Sequence, residues 1–191
     1  MKALLLDGSR AGDAASTQAR ELIEQELRGK GWEVSSLTLR DMEIAPCLGC
    51  FKCWTHTPGV CVTDDAGTAV VKQFIASDLA VFLTPVTFGG YSSVLKKALD
   101  RTIPLMLPFF QKVSGEVRHV HRYDSHPRIM ALGVMNRADP AAEQIFRTLV
   151  SRNAMNFAAP ERASGVITRD MVPGRMRGEV HALLIRVGVG P

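Results

Sequence analysis

Apolar runs and mixed, helically spaced segments take turns along this chain. Residues 2–9, KALLLDGS, carry an apolar run into a Gly-Ser turn and predict a short buried strand. Over residues 14–31, Ala19, Leu22, Ile23 and Leu27 recur on one helical face, and Gly29 and Gly31 end the helix. Residues 32–41, WEVSSLTLRD, alternate as a second strand. Residues 64–78 predict a helix capped by Asp64 or Asp65. A buried strand follows at 79–90, stopped by Pro85 and a Gly pair, then a helix at 92–103 ended by Pro104. Residues 104–127 show no period and predict an irregular insertion. Residues 128–136 read as a buried strand, and 139–157 as a helix with Asp139 at its cap and Pro140 in its first turn. Residues 161–170 predict the last strand and 174–188 the last helix.

Strands and helices thus alternate five times, and most strands are apolar on both faces. This predicts one α/β domain over residues 1–191, with a five-stranded parallel sheet covered by helices on both faces. Ligands of such sheets lie at the carboxyl ends of the strands, where the strand order reverses. Three loops are therefore of interest: those after Leu6, Leu83 and Met135.

Composition adds modest bounds. The 191 residues are 46% hydrophobic and 22% charged, with a net charge of +4, as in an ordinary globular domain. That charge is too small and too evenly spread to argue for nucleic acid. No apolar run reaches membrane-spanning length, and the N-terminus lacks the pattern of a signal peptide. The expectation is a cytoplasmic protein without membrane partners, in which thiols stay reduced.

The first loop, DGSRAGDAAST, offers Ser9, Arg10, Ser16 and Thr17 around a helix start. These groups suit a phosphate monoester, although a plain capped turn explains them as well. The loop matches neither a dinucleotide fingerprint nor a Walker loop. The second loop, Pro85 to Tyr91, is apolar and aromatic; Phe88 and Tyr91 are candidates to pack on a flat ring, and the Gly pair permits close backbone approach.

All four cysteines fall between residues 46 and 62, spaced Cys47-x2-Cys50-x2-Cys53-x7-Cys61. Four thiolates can hold a [4Fe–4S] cluster or a zinc ion. Three cysteines at successive x2 intervals are more typical of iron–sulfur ligation than of paired zinc hooks. Free thiols remain an alternative, and His56 lies within the segment as a possible substitute ligand.

Together, GSR…ST after the first strand, the compact cysteine motif ending in GVCVTDD, and TPVTFGGYSSVLKKALDR resemble the iron–sulfur flavoproteins, a branch of the NADPH-dependent FMN reductase and flavodoxin-like superfamily. The resemblance implies a flavodoxin-like fold. It also implies FMN, with its phosphate on Ser9, Arg10, Ser16 and Thr17, its ring wrapped by Pro85, Val86, Thr87, Phe88 and Gly89, and Asn136 where a third FMN loop is expected. Cys47, Cys50, Cys53 and Cys61 would ligate a [4Fe–4S] cluster. Implied too are a homodimer or homotetramer and electron exchange with ferredoxin or a small-molecule acceptor. Two alternatives stand beside this reading: an NAD(P)H-dependent FMN or quinone reductase without a functional cluster, and a zinc-stabilised binding module.

Two features lie outside the motifs. His119, His121 and His126 alternate with arginines in a segment read as a solvated or interface loop rather than a metal site. The apolar run from Ile103 to Phe110 reads as internal packing or a subunit contact, with the second preferred.

Overall fold

The computed structural model describes residues 1–113 and 115–190. Seven strands and six α-helices follow in the order β1 (Lys2–Asp7), α1 (Ala14–Gly29), β2 (Glu33–Thr38), α2 (Lys52–Thr55), α3 (Ala66–Ile75), β3 (Leu79–Pro85), α4 (Ser93–Asp100), β4 (Met106–Val113), β5 (Glu116–His121), β6 (Arg128–Met135), α5 (Pro140–Asn156), β7 (Arg162–Thr168) and α6 (Pro173–Arg186). Five strands form a parallel sheet in the order β2-β1-β3-β6-β7. The strand order reverses between β1 and β3, so the loops that follow these two strands flank the switch point. This is the flavodoxin-like α/β arrangement.

The three central strands, β1, β3 and β6, are almost wholly apolar because both faces of the sheet are covered there. On one face Leu5, Val81, Leu83 and Leu132 pack with Ala19 and Ile23 of α1 and with Val180 and Leu183 of α6. On the other, Leu4, Leu6, Phe82 and Ala131 meet Phe74 of α3, Leu95 of α4 and Phe146 of α5. Neighbours in a strand thus alternate between two cores, as the two-residue side-chain period requires.

Two expectations need correction. Residues 104–127 are not irregular: β4 and β5 form an antiparallel hairpin pairing Phe110 with His119 and Gln111 with Arg118. The register shifts between Met106 and Phe110, around Pro108, which has no N–H to donate. Most of the hairpin is partly exposed, so it lacks the apolar alternation that marks a half-buried strand. Distant bonds hold it instead: Trp54 Nε1 donates to the Met106 carbonyl at 2.8 Å, and Arg122 Nε to that of Pro104 at 2.9 Å. Tyr91, predicted to face a ligand ring, is a core residue. It lies edge-on to Phe82 and Phe146, its hydroxyl accepts from Asn153 at 3.4 Å, and burial pushes its phenol up to about 12.

Among the described residues, no helix is long and apolar enough to cross a membrane.

Candidate functional site

The loops at the carboxyl ends of β1, β3 and β6 enclose a cleft of about 480 Å³. Its lining includes Arg10, Pro85, Val86, Thr87, Phe88, Gly89 and Asn136, so seven of the ten predicted cofactor residues converge on it. Its size falls in the range of small-molecule and cofactor sites. A second cleft of about 340 Å³ adjoins it through shared Arg10 and Thr87, and is lined by Gly8–Ala11, Arg40 and Ser92–Val94. Ser9 lies there.

The β3 loop owes its shape to a tight turn. Thr87 and Gly90 exchange both backbone hydrogen bonds, at 2.9 and 2.8 Å. The two residues between them, Phe88 and Gly89, have φ of 50° and 75°, the positive values that a type I′ turn requires. Phe88 accepts an unfavourable backbone for a non-glycine residue and is fully exposed at the turn's tip, which marks it for contact rather than packing. A Cβ on Gly89 would lie 2.6 Å from Cγ2 of Ile145, another cleft residue. Gly89→Ala is expected to destabilise the fold by about 1–2 kcal/mol in urea unfolding, because the positive φ and the clash act together.

The β1 loop is tied down from both sides. Asp7, buried at the strand end, accepts from Ser9 N–H at 2.8 Å and faces Arg20 and Arg40. Ser92 Oγ donates to the Gly8 carbonyl at 2.8 Å, joining the β1 loop to the start of α4. Ser16 and Thr17, predicted beside Ser9 and Arg10, line neither cleft. Both hydroxyls donate to Asp13, the N-cap of α1: Ser16 Oγ to the carboxylate at 3.0 Å and Thr17 Oγ1 to the carbonyl at 3.1 Å.

Sequence reasoning missed Arg40, Arg137, Asp139 and Arg169, which also line these clefts. The signal was available in part. Arg40, Arg137 and Arg169 each lie within two residues of a sheet strand's carboxyl end, where ligands of this architecture collect.

The cysteine loop lies at the same end of the sheet, after β2. Cys47, Cys50, Cys53 and Cys61 all line one small cavity, with Phe51, Arg101 and Pro104. Cys47 and Cys50 are exposed, Cys61 is half-buried and Cys53 is buried; none is in a disulfide. Burial, then the neighbouring thiols of Cys61, Cys47 and Cys50, raise the Cys53 thiol. Among the described residues, no three or more His, Cys, Asp or Glu side chains are gathered closely enough to hold a metal ion. The thiols share a cavity but do not stand as a closed ligand set. Two residues give the loop its path: Gly49 (φ 63°) and Phe51 (φ 53°), which precedes the single helical turn α2 that carries Cys53. Phe51 stacks on Trp54 at 4.9 Å, and Trp54 meets His119 of the hairpin at 5.2 Å.

Arg101 staples both ends of this loop. Only 2% exposed, it donates to the carbonyls of Ala45 and Thr63, both at 3.0 Å, and to Asp65 at 2.7 Å. Its buried Nε–H has no hydrogen-bond partner among the described residues, and Cys61 lies beside the guanidinium. Asp65 also accepts from Ala45 and Gly67 N–H groups. Burial opposes ionisation of Asp65, but the Arg101 hydrogen bond, these two N–H groups and the Arg101 charge outweigh it, and its carboxyl lies below the ordinary range. A depressed folded value means that the pair stabilises the fold above the unfolded carboxylate value of about 3.9 and loses that contribution as the pH falls through the folded value. Asp65→Asn is therefore expected to flatten the acid limb of stability below about pH 4, as measured by urea unfolding between pH 7 and pH 2.5.

Fold and clefts together define a flavodoxin-like protein with a cofactor-sized site at the switch point. Residues 1–150 match the NADPH-dependent FMN reductase family, and the chain belongs to it. That family is named for NADPH-dependent reduction of FMN. An iron–sulfur flavoprotein of Methanocaldococcus jannaschii is 31% identical over 119 residues, which cover 61% of each chain. Another, from Archaeoglobus fulgidus, is 30% identical over 102 residues, 53% of this chain and 49% of that one. The matches thus span about half to three-fifths of these two relatives' length. Among solved structures, an azoreductase from Bacillus anthracis superposes with a TM-score of 0.66 at 18% identity, covering 98% of this chain and 96% of that one. An NAD(P)H:quinone oxidoreductase from Methanothermobacter marburgensis gives 0.69 at 13% identity, covering 98% and 92%. At such identities these two structures speak for the fold alone.

Proposed function

We propose that this protein is a redox flavoprotein that binds FMN in the switch-point cleft and a [4Fe–4S] cluster on Cys47, Cys50, Cys53 and Cys61, and that it carries electrons between them. The observation that carries the reading is the convergence of all four thiols on one cavity, at the same sheet end as a cofactor-sized cleft. The two curated relatives named as iron–sulfur flavoproteins support it.

The chemistry of the residues present suits a flavin ring and, once the thiols are gathered, a cluster. Pro85, Val86 and Ile145 supply apolar surface for a flat ring, and no described residue accepts from the N–H groups of Phe88 and Gly89, which leaves them as donors for its polar edge. Arg10 and Arg137, with part of the Arg169 charge, outweigh Asp139 in the cleft and favour a reduced, anionic ring. Asn136 adds an amide at the β6 end. On the cysteine side, the fixed charge of Arg101 offsets part of the negative charge of four thiolates, and its unpartnered Nε–H is a donor for sulfur. Closing the ligand set requires the exposed Cys47 and Cys50 to draw in, which the turn around Gly49 permits. When bound, FMN exchanges electrons in pairs or singly and the cluster singly, so together they would link two-electron and one-electron chemistry.

In this reading the protein is cytoplasmic, acts as a homodimer or homotetramer, and exchanges electrons with ferredoxin or a small-molecule acceptor. A second reading has a specific observation behind it: the thiols are not gathered, and the family is named for NADPH-dependent FMN reduction. In that case the protein is an NAD(P)H-dependent FMN or quinone reductase without a functional cluster. Anaerobic titration separates the two. Stoichiometric flavin reduction by reduced ferredoxin, without NAD(P)H turnover, is expected. Rapid NAD(P)H oxidation with a quinone, by protein lacking iron, would select the second reading. Zinc without flavin would select a zinc-stabilised binding module.

A further inference from the structure

We infer that Asp13 fills the anion seat at the start of α1 with the protein's own carboxylate, and so limits how much a flavin's phosphate contributes to binding. The inference rests on the flavin reading above. It begins from what surrounds Asp13. The Asp13 side chain is 3% exposed. Its Oδ1 accepts from Ser16 N–H at 3.4 Å, and its Oδ2 accepts from Ser16 Oγ at 3.0 Å and from Arg169 at 3.0 Å. A first-turn N–H, a hydroxyl and a guanidinium at a helix N-terminus are the groups that bind a phosphate. Here they are satisfied from within.

Arg169 comes from the far side of the site, one residue beyond β7, and also lines the flavin cleft. Its charge is therefore shared between the cleft and the Asp13 carboxylate. A phosphate approaching α1 would compete with that carboxylate for the same three donors, and would meet a like charge in a largely desolvated place. Of the residues that the sequence offered as phosphate ligands, Ser9 and Arg10 remain at the clefts, while Ser16 and Thr17 are spent on Asp13. Ring contacts with the β3 loop then dominate affinity, and phosphate adds little.

The test is a pair of fluorescence titrations of the flavin-free full chain, one with FMN and one with riboflavin, on wild type, Asp13→Gly and Asp13→Asn. Glycine is tolerated at an N-cap and empties the seat; asparagine keeps the shape and removes the charge. Wild type is expected to favour FMN over riboflavin by less than tenfold. Asp13→Gly should tighten FMN at least tenfold and leave riboflavin within twofold. Asp13→Asn should move the ratio the same way by a smaller factor, and it decides the matter if the glycine variant does not fold. A wild-type preference for FMN above a hundredfold, or a ratio unchanged in both variants while riboflavin still binds, overturns the inference alone. Failure of wild type to bind either flavin overturns the flavin reading, and this inference with it.

Discussion

Arg101→Met is expected to cost about 3–5 kcal/mol of folding stability, the largest loss of any single substitution considered. The substituted residue is a buried cation whose removal leaves the Asp65 carboxylate, 13% exposed, without its counter-charge. Two carbonyls, at Ala45 and Thr63, lose their donor in the same step. These groups lie on either side of the cysteine loop, so the loss is both energetic and topological: the ends of the segment from Pro46 to Val62 are no longer held together. Arg101→Lys keeps the charge but not the planar fork, and is expected to recover only part of the loss. Urea unfolding at neutral pH measures it. A loss below about 1 kcal/mol would place Arg101 among ordinary surface ion pairs and contradict its role as the staple of the loop.

Cys50→Ala is expected to take bound iron from about four per chain to none while leaving bound flavin within twofold of wild type. Cys50 lies between Cys47 and Cys53 on the exposed side of the cavity, and none of its atoms takes part in the flavin cleft. Because it is exposed, its truncation leaves no large void in the core. Iron and flavin analysis of the same preparation reads both halves of the prediction. Parallel loss of flavin would mean that the cysteine loop and the cleft are one cooperative unit rather than two sites.

The fold was legible in the sequence because buried parallel strands announce themselves. Runs such as ALLL, residues 3–6, are unmistakable when both faces are covered, as Leu4, Leu5 and Leu6 are. Each of the five sheet strands falls where its apolar pattern predicted it. The hairpin was not legible, since Trp54 and Arg122 hold it by long-range bonds and most of its residues keep contact with solvent. Tyr91 was misassigned for a related reason: a Tyr beside two glycines looks like a loop residue until Phe82 and Phe146 are seen on either side. The turn after β3 was readable because Pro85 and the Gly89–Gly90 pair demand one at a strand end. Ser16 and Thr17 read as phosphate ligands, with a capped turn as the alternative, and Asp13 is the cap that takes both hydroxyls. The contact from Arg169, 156 positions away in the chain, could not be read from the sequence.

The central claim is that one chain holds a flavin and an iron–sulfur cluster side by side in function. Its most direct measurement is the flavin, iron and acid-labile sulfide content of the protein after anaerobic purification and reconstitution. About one FMN, four irons and four sulfides per chain are expected. Bound flavin with no iron or sulfide would contradict it.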